Sequence, residues 1–144
     1  MNTALAIAGA VGIAVLGLVA VYWRRKGMQR LRPRRFGHVA DGFFRCGRLP
    51  PWRAERLLRG HRIDLVIDLA SGDPPDSAGE QAERAAVRRL GIERREYRLY
   101  GDGTAKPGVY LAVLQALGHA RRSGQRELLH CNAGRERTGA IVAF

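Results

Sequence analysis

The sequence predicts an α/β fold: a central, mostly parallel sheet flanked by helices, preceded by one N-terminal transmembrane helix. Two observations carry the sheet. From Phe36 onward, short apolar runs alternate with longer amphipathic stretches, which is the pattern of strands joined by crossover helices. Gly, Pro and Asp fall between those runs and seldom within them, so the chain is punctuated where turns belong. A third observation separates the N-terminus: no charged side chain occurs before Arg24.

The elements follow in order. Val39 to Cys46 reads as a short hairpin around Asp41-Gly42, a turn dipeptide that tolerates positive φ. Pro50-Pro51 opens a helix through about Gly60, with Trp52, Leu57 and Leu58 offered to the core. Leu65 to Leu69 is a buried strand. Ser71 to Ser77 carries Gly, two Pro and two Asp, which excludes regular structure. Glu80 to Leu90 is an amphipathic helix stopped by Gly91. Tyr97 to Tyr100 ends another strand, broken by Gly101-Asp102-Gly103. Pro107 starts a helix to about Arg122 with Tyr110, Leu111, Leu114 and Leu117 on one face, and Gly124 ends it. Leu128 and Leu129 form a last strand leading into His130.

Charge sharpens the division of the chain. The 144 residues carry 25 Lys+Arg against 13 Asp+Glu, a net +12, and Lys26 and Lys106 are the two lysines. Seven basic residues and no acid fall between Arg24 and Arg35, whereas 36–144 holds 18 basic and 13 acidic residues, a net of +5. Charge concentrated in one short block excludes a uniformly basic nucleic-acid binder. Residues 1–23 are expected to be a transmembrane anchor. The uncharged run Ala4–Trp23 has 20 residues, enough to cross roughly 30 Å of hydrocarbon at about 1.5 Å per residue. Residues 24–35 are a basic juxtamembrane linker against anionic headgroups. By the positive-inside rule the N-terminus lies outside and the remainder is cytoplasmic, a bacterial inner membrane being the expected one. A cleaved signal peptide fits less well, because the basic residues follow the apolar run. Cys46 and Cys131 are too few for a disulfide scaffold.

The segment that carries chemistry is His130-Cys131-Asn132-Ala133-Gly134-Arg135-Glu136-Arg137-Thr138-Gly139, between a strand and a helix start. Five residues with a central Gly can curl so that their N–H groups converge on an anion, beside the positive end of a helix. Arg137 closes the ring with a fork matched to two phosphate oxygens. Cys131 stands at the floor, where the same donors that hold a phosphoryl group stabilise a thiolate. No metal or other cofactor is implied, since amides and Arg meet the phosphoryl charge.

This signature, His-Cys-x5-Arg-Thr-Gly, resembles that of the cysteine-dependent protein tyrosine phosphatases, in particular their dual-specificity branch. Phe44 to Pro50 and Ile63 to Leu69 resemble that branch more loosely, so the likeness covers residues 36–144, the expected phosphatase domain. The resemblance implies roles. Cys131 is the nucleophile and Arg137 holds the phosphoryl group. Asn132, Ala133, Gly134, Arg135 and Glu136 supply backbone donors. Thr138 bonds the sulfur and His130 orients the loop. It also implies a general acid about 30 residues before the cysteine. Asp102 lies 29 residues before Cys131 and is the candidate, with Asp73 and Asp76 behind it. Asp68, inside a strand, reads as structural. Some relatives pair a second cysteine with the nucleophile, a role open to Cys46 beside the plainer one of a small core residue. His38, His61 and His119 lack ligand spacing.

The expected substrate is a phosphorylated protein. Phospholipid or inositol phosphate is the alternative, with Arg135 in its favour and Asn132 against it. A phosphate-binding module without catalysis and rhodanese-type sulfur transfer are the other readings. Relatives continue beyond the point matching Phe144 with further helices, so a shortened C-terminus is also an expectation.

Overall fold

A computed structural model describes residues 17–18, 33–73 and 77–144. Pro33–Phe144 forms one compact unit. Five strands make one sheet in the order β1-β2-β5-β3-β4. These are β1 (Gly37–Ala40), β2 (Phe43–Gly47), β3 (Leu65–Asp68), β4 (Glu93–Glu96) and β5 (Glu127–Cys131). β1 and β2 form the predicted antiparallel hairpin, turned by Gly42 at φ 74°. All other pairings are parallel.

Among the described residues, four helices flank the sheet: α1 (Ala54–Gly60), α2 (Ala78–Leu90), α3 (Pro107–Arg122) and α4 (Glu136–Val142). Alternation along the strands sorts the core into two layers. Phe44, Cys46, Val66 and Leu128 face Ala54, Leu58, Ala86 and Val87 of α1 and α2. Phe43, Leu65, Ile67, Leu129 and Cys131 face Val113, Ala116, Leu117 and Ala120 of α3 and Ile141 of α4. Ser77 caps α2 by accepting from the Glu80 N–H, and Gly91 ends it at φ 67°.

Three elements depart from expectation. The fourth strand lies at Glu93–Glu96, and past it Arg98 makes only an isolated bridge to Ala70. Glu-Arg-Arg-Glu shows no apolar alternation, because this edge strand is held by ion pairs. The buried face of α3 is Val113, Ala116, Leu117 and Ala120, with Leu111 57% exposed. Trp52 is 61% exposed, ahead of a helix that starts at Ala54.

The expected placement is also corrected. Among the described residues no helix is long and apolar enough to cross a membrane. A single-pass protein with its N-terminus outside and a cytoplasmic domain is therefore not supported, nor is anchoring through the basic linker. Apart from Gly17 and Leu18, residues 1–32 lie outside the described residues.

Candidate active site

Parallel strands β5, β2 and β3 end together, and the loop from Cys131 to α4 lies over those ends. Close approach of two glycines makes this possible. Gly134 has φ 67°, and a Cβ there would lie 2.6 Å from Gly47 N and 2.7 Å from Cys46 C. A Cβ on Gly47 would lie 3.0 Å from Asn132 O. The loop thus packs main chain on main chain against the end of β2.

The loop's carbonyls are tied outward. Asn132 O accepts from the Arg48 N–H at 3.1 Å. Ala133 O accepts from Arg35 Nη1 at 2.9 Å, and Gly134 O from Arg45 Nη2 at 2.8 Å. A trans peptide points its N–H opposite to its C=O. Holding these carbonyls out therefore turns the N–H groups of Ala133, Gly134 and Arg135 inward. The Gly134 N–H donates to Cys131 Sγ at 3.2 Å.

Cys131 is 3% exposed. Burial alone would push its thiol up. Hydrogen bonds from the Thr138 hydroxyl and from the N–H groups of Thr138, Gly134 and Arg135 outweigh it and hold the pKa below the ordinary value. The Thr138 hydroxyl is buried with no well-formed hydrogen bond among the described residues, which leaves it free to serve the Cys131 sulfur.

Arg137 lies beside the sulfur. It lines a small cavity of about 70 Å³ together with Gly101, Cys131, Asn132, Ala133 and Glu136. Its Nε donates to Tyr100 O at 3.0 Å and its Nη2 meets Asp73 Oδ2 at 2.5 Å. Its Nη1 is buried without a partner among the described residues. The Arg135 and Glu136 side chains pair with each other at 3.2 Å, both largely exposed.

The candidate acids separate. Asp102 is exposed, and its Oδ1 accepts from the Thr104 N–H at 2.9 Å and the Thr104 hydroxyl at 2.7 Å. Those bonds hold its carboxyl below the usual range. Its neighbour Gly101 lines the cavity, but in this state the Asp102 carboxylate faces Thr104 and not the sulfur. Asp73 is the carboxylate on Arg137. Asp76 lies outside the described residues. Cys46 sits in the opposite core layer from Cys131, across the sheet, so a disulfide between them would require the strands to rearrange. Burial pushes the Cys46 thiol well up. His61 packs at a tilt against Phe36 and Phe44, and His38 against Phe44.

Further residues surround the site. Arg48 bonds Asn132 Oδ1 through Nε and Nη2, at 2.8 and 2.6 Å. The same guanidinium reaches Ser77 Oγ, Glu80, Ala70 O and Asp73 O. It joins the Cys131 loop to the loop that carries Asp73. Behind the sheet, His130 is fully buried against Glu83, with Asp68 and Arg94 close by. His130 belongs to the motif and Arg48 to the Phe44–Pro50 segment, whereas only the arginine richness of the sequence points toward Arg94.

The sequence matches no protein-family model, and no curated protein matches it. Solved structures do share the fold. The core catalytic domain of the PP-IP phosphatase SIW14 from S. cerevisiae, bound to citrate, is 20% identical with a TM-score of 0.63. The match covers 76% of this chain and 63% of that one. A putative phosphatase (DUF442) from Shewanella putrefaciens CN-32 is 20% identical with a TM-score of 0.66, over 81% of this chain and 69% of its own. P. aeruginosa TpbA, in a cysteine-to-serine form bound to pTyr, is 21% identical with a TM-score of 0.56, over 72% and 57%. The chain therefore has a phosphatase-type α/β fold and spans about six-tenths to seven-tenths of these chains.

Proposed function

We propose that the chain is a cysteine-dependent phosphatase of the dual-specificity type, with residues 36–144 as its catalytic domain. One observation carries the reading: Cys131 is held toward thiolate at the floor of a small cavity whose wall is Arg137. Thiolate Sγ attacks phosphorus and the ester P–O bond breaks, leaving a phosphocysteine. The departing oxygen takes a proton from a general acid. Water then attacks phosphorus, the same group receives the water's proton, the P–S bond breaks and the thiolate is restored. Inward N–H groups of the 132–136 loop and the Arg137 fork meet the charge on the transferring phosphoryl group. Thr138, as donor to sulfur, stabilises the leaving thiolate in the second step.

Asp102 is assigned the general acid. Asp73 is committed to the Arg137 guanidinium, and protonating it would cost that ion pair. Asp102 is exposed, is held only by Thr104, and follows Gly101, which lines the cavity, so it is the acid free to turn toward it.

The leading substrate is a phosphorylated protein, the pTyr-bound TpbA being one fold relative. Inositol phosphates or phospholipid headgroups are the second reading, favoured by the fold shared with the PP-IP phosphatase SIW14. Turnover of p-nitrophenyl phosphate tests the chemistry. Cys131→Ser is expected to abolish it, and undiminished hydrolysis by that variant would refute the assignment. Phosphotyrosine peptides set against inositol phosphates then separate the two substrate classes.

A further inference from the structure

The buried charges on the far side of the sheet take part in no step of this reaction. His130 and Cys131 are successive residues of β5, so their side chains leave the strand on opposite faces. His130 Nε2 lies 3.1 Å from Glu83 Oε1 and 3.0 Å from Oε2, and Nδ1 lies 3.8 Å from Asp68 Oδ1. Arg94 from β4 stands 2.7 Å from Asp68 and 3.0 Å from Glu83. Glu80 and Glu96 also pair with Arg94, the Cys46 thiol stands at the position on β2 paired with His130, and Cys131 is the chain neighbour. His130, Glu83 and Asp68 are each at most 1% exposed.

Charge balance then decides the protonation state. Asp68, Glu80, Glu83 and Glu96 carry four negative charges in the network around Arg94, and Arg48, Arg84 and Arg94 supply three positive charges. The end of the network formed by His130, Asp68 and Glu83 is closed to solvent, where an unbalanced charge is costly. A protonated His130 completes the balance. Arg94 already fills the cation position that the Asp68, Glu83 and His130 donors would otherwise offer. Burial alone would drive the imidazole toward neutral, but Glu83 and Asp68 outweigh it and raise His130 to about 9. The network also continues. Glu80 lies 3.9 Å from Arg94 and 3.2 Å from Arg48, and Arg48 holds Asn132. Connected charges thus grip the loop one residue before Cys131 and one residue after it.

We propose that Glu83 is a positioning residue for the nucleophile: by holding His130 as an imidazolium it fixes the strand end that carries Cys131 and places positive charge behind the thiolate. The proposal rests on Cys131 being the nucleophile, yet its test does not need turnover. The rate of Cys131 alkylation by iodoacetamide is measured against pH, with mass spectrometry to locate the adduct. In Glu83→Gln the alkylation midpoint should rise by about one pH unit, which is roughly tenfold slower reaction well below the midpoint. Glu83→Asp should restore part of that loss. Introduced into a His130→Gln background, Glu83→Gln should shift the midpoint no further. Melting curves establish that each variant folds, and if Glu83→Gln does not, His130→Gln alone carries the test with the same expected rise. An unchanged midpoint in the folded variant overturns the proposal. Retained aryl phosphate turnover by Cys131→Ser would instead overturn the phosphatase reading and leave the alkylation result standing.

Discussion

Replacing Gly134 by Ala tests whether the loop is held by contact with β2. The added methyl would lie 2.6 Å from Gly47 N, 2.7 Å from Cys46 C and 2.8 Å from Cys46 O. All three are main-chain atoms of β2, which is paired on both edges by β1 and β5 and has little room to yield. Gly134 also sits at φ 67°, where a side chain costs about 1–2 kcal/mol. Overpacking of this kind adds about 1–3 kcal/mol. If the loop stays in place, stability should fall by about 2–5 kcal/mol, the sum of those two costs. If the loop moves instead, the Gly134 N–H leaves Cys131 Sγ, now 3.2 Å away, and Gly134 O leaves Arg45. Urea unfolding reads the first outcome, and Cys131 alkylation near neutral pH reads the second as slower reaction. Gly139→Ala is the control, since a Cβ there meets nothing within 4 Å and a helical Gly→Ala change is worth roughly 0.5–1 kcal/mol in favour of folding. Parental stability together with parental alkylation in Gly134→Ala would refute the packing argument.

Two further outcomes are expected. Asp102→Asn should slow phenyl phosphate by roughly a hundredfold or more and p-nitrophenyl phosphate less, because the better leaving group needs less protonation; equal losses on both esters would remove Asp102 from the role. Burial lifts Glu127 to about 7, against the opposing pull of Arg121. A carboxyl raised on folding contributes stability that is whole below about 4.3, its unfolded value, and is lost as pH rises through the folded value. Glu127→Gln should therefore raise the melting temperature at pH 8.5 and leave it nearly unchanged at pH 4, and a shift at acid pH alone would contradict this.

Much of the fold could be read because it rests on apolar periodicity. Leu65 to Leu69 and Leu128-Leu129 are buried on both faces and announce themselves as apolar runs. β4 could not be read that way. Glu93–Glu96 is stabilised by Arg94, which is buried only because Asp68, Glu80 and Glu83 surround it. Such pairing is a tertiary fact with no local signature. The site divides likewise. Cys131, Arg137 and Thr138 stand in one contiguous motif whose chemistry dictates its spacing. Arg35, Arg45 and Arg48 reach the loop from about 84 to 98 residues away in sequence; the loose likeness of Phe44 to Pro50 marks the segment of the last two but not their partners. Asp102 is picked out by its interval from Cys131, and an interval does not say which way a side chain turns.

The arginine content of the compact unit follows from the same geometry. A loop that turns its N–H groups toward an anion must turn its carbonyls away, and those carbonyls then need donors on their outer side. Lysine offers one point of charge on a flexible stem, whereas guanidinium offers several donors in a fixed plane. Arg48 uses that plane to hold Asn132, Ala70 O, Asp73 O, Ser77 and Glu80 at once. Arg35 and Arg45 hold the next two carbonyls. Their charge also lies on the outside of a ring whose centre attracts anions, so the donors that fix the loop add to its field. Under the proposed chemistry, a cradle fixed in this way would meet an incoming phosphoryl group without reorganising, which is the condition under which oriented N–H groups lower a barrier most. On that proposal Arg45 and Arg48 belong with Arg137, through the loop they hold from its outer side.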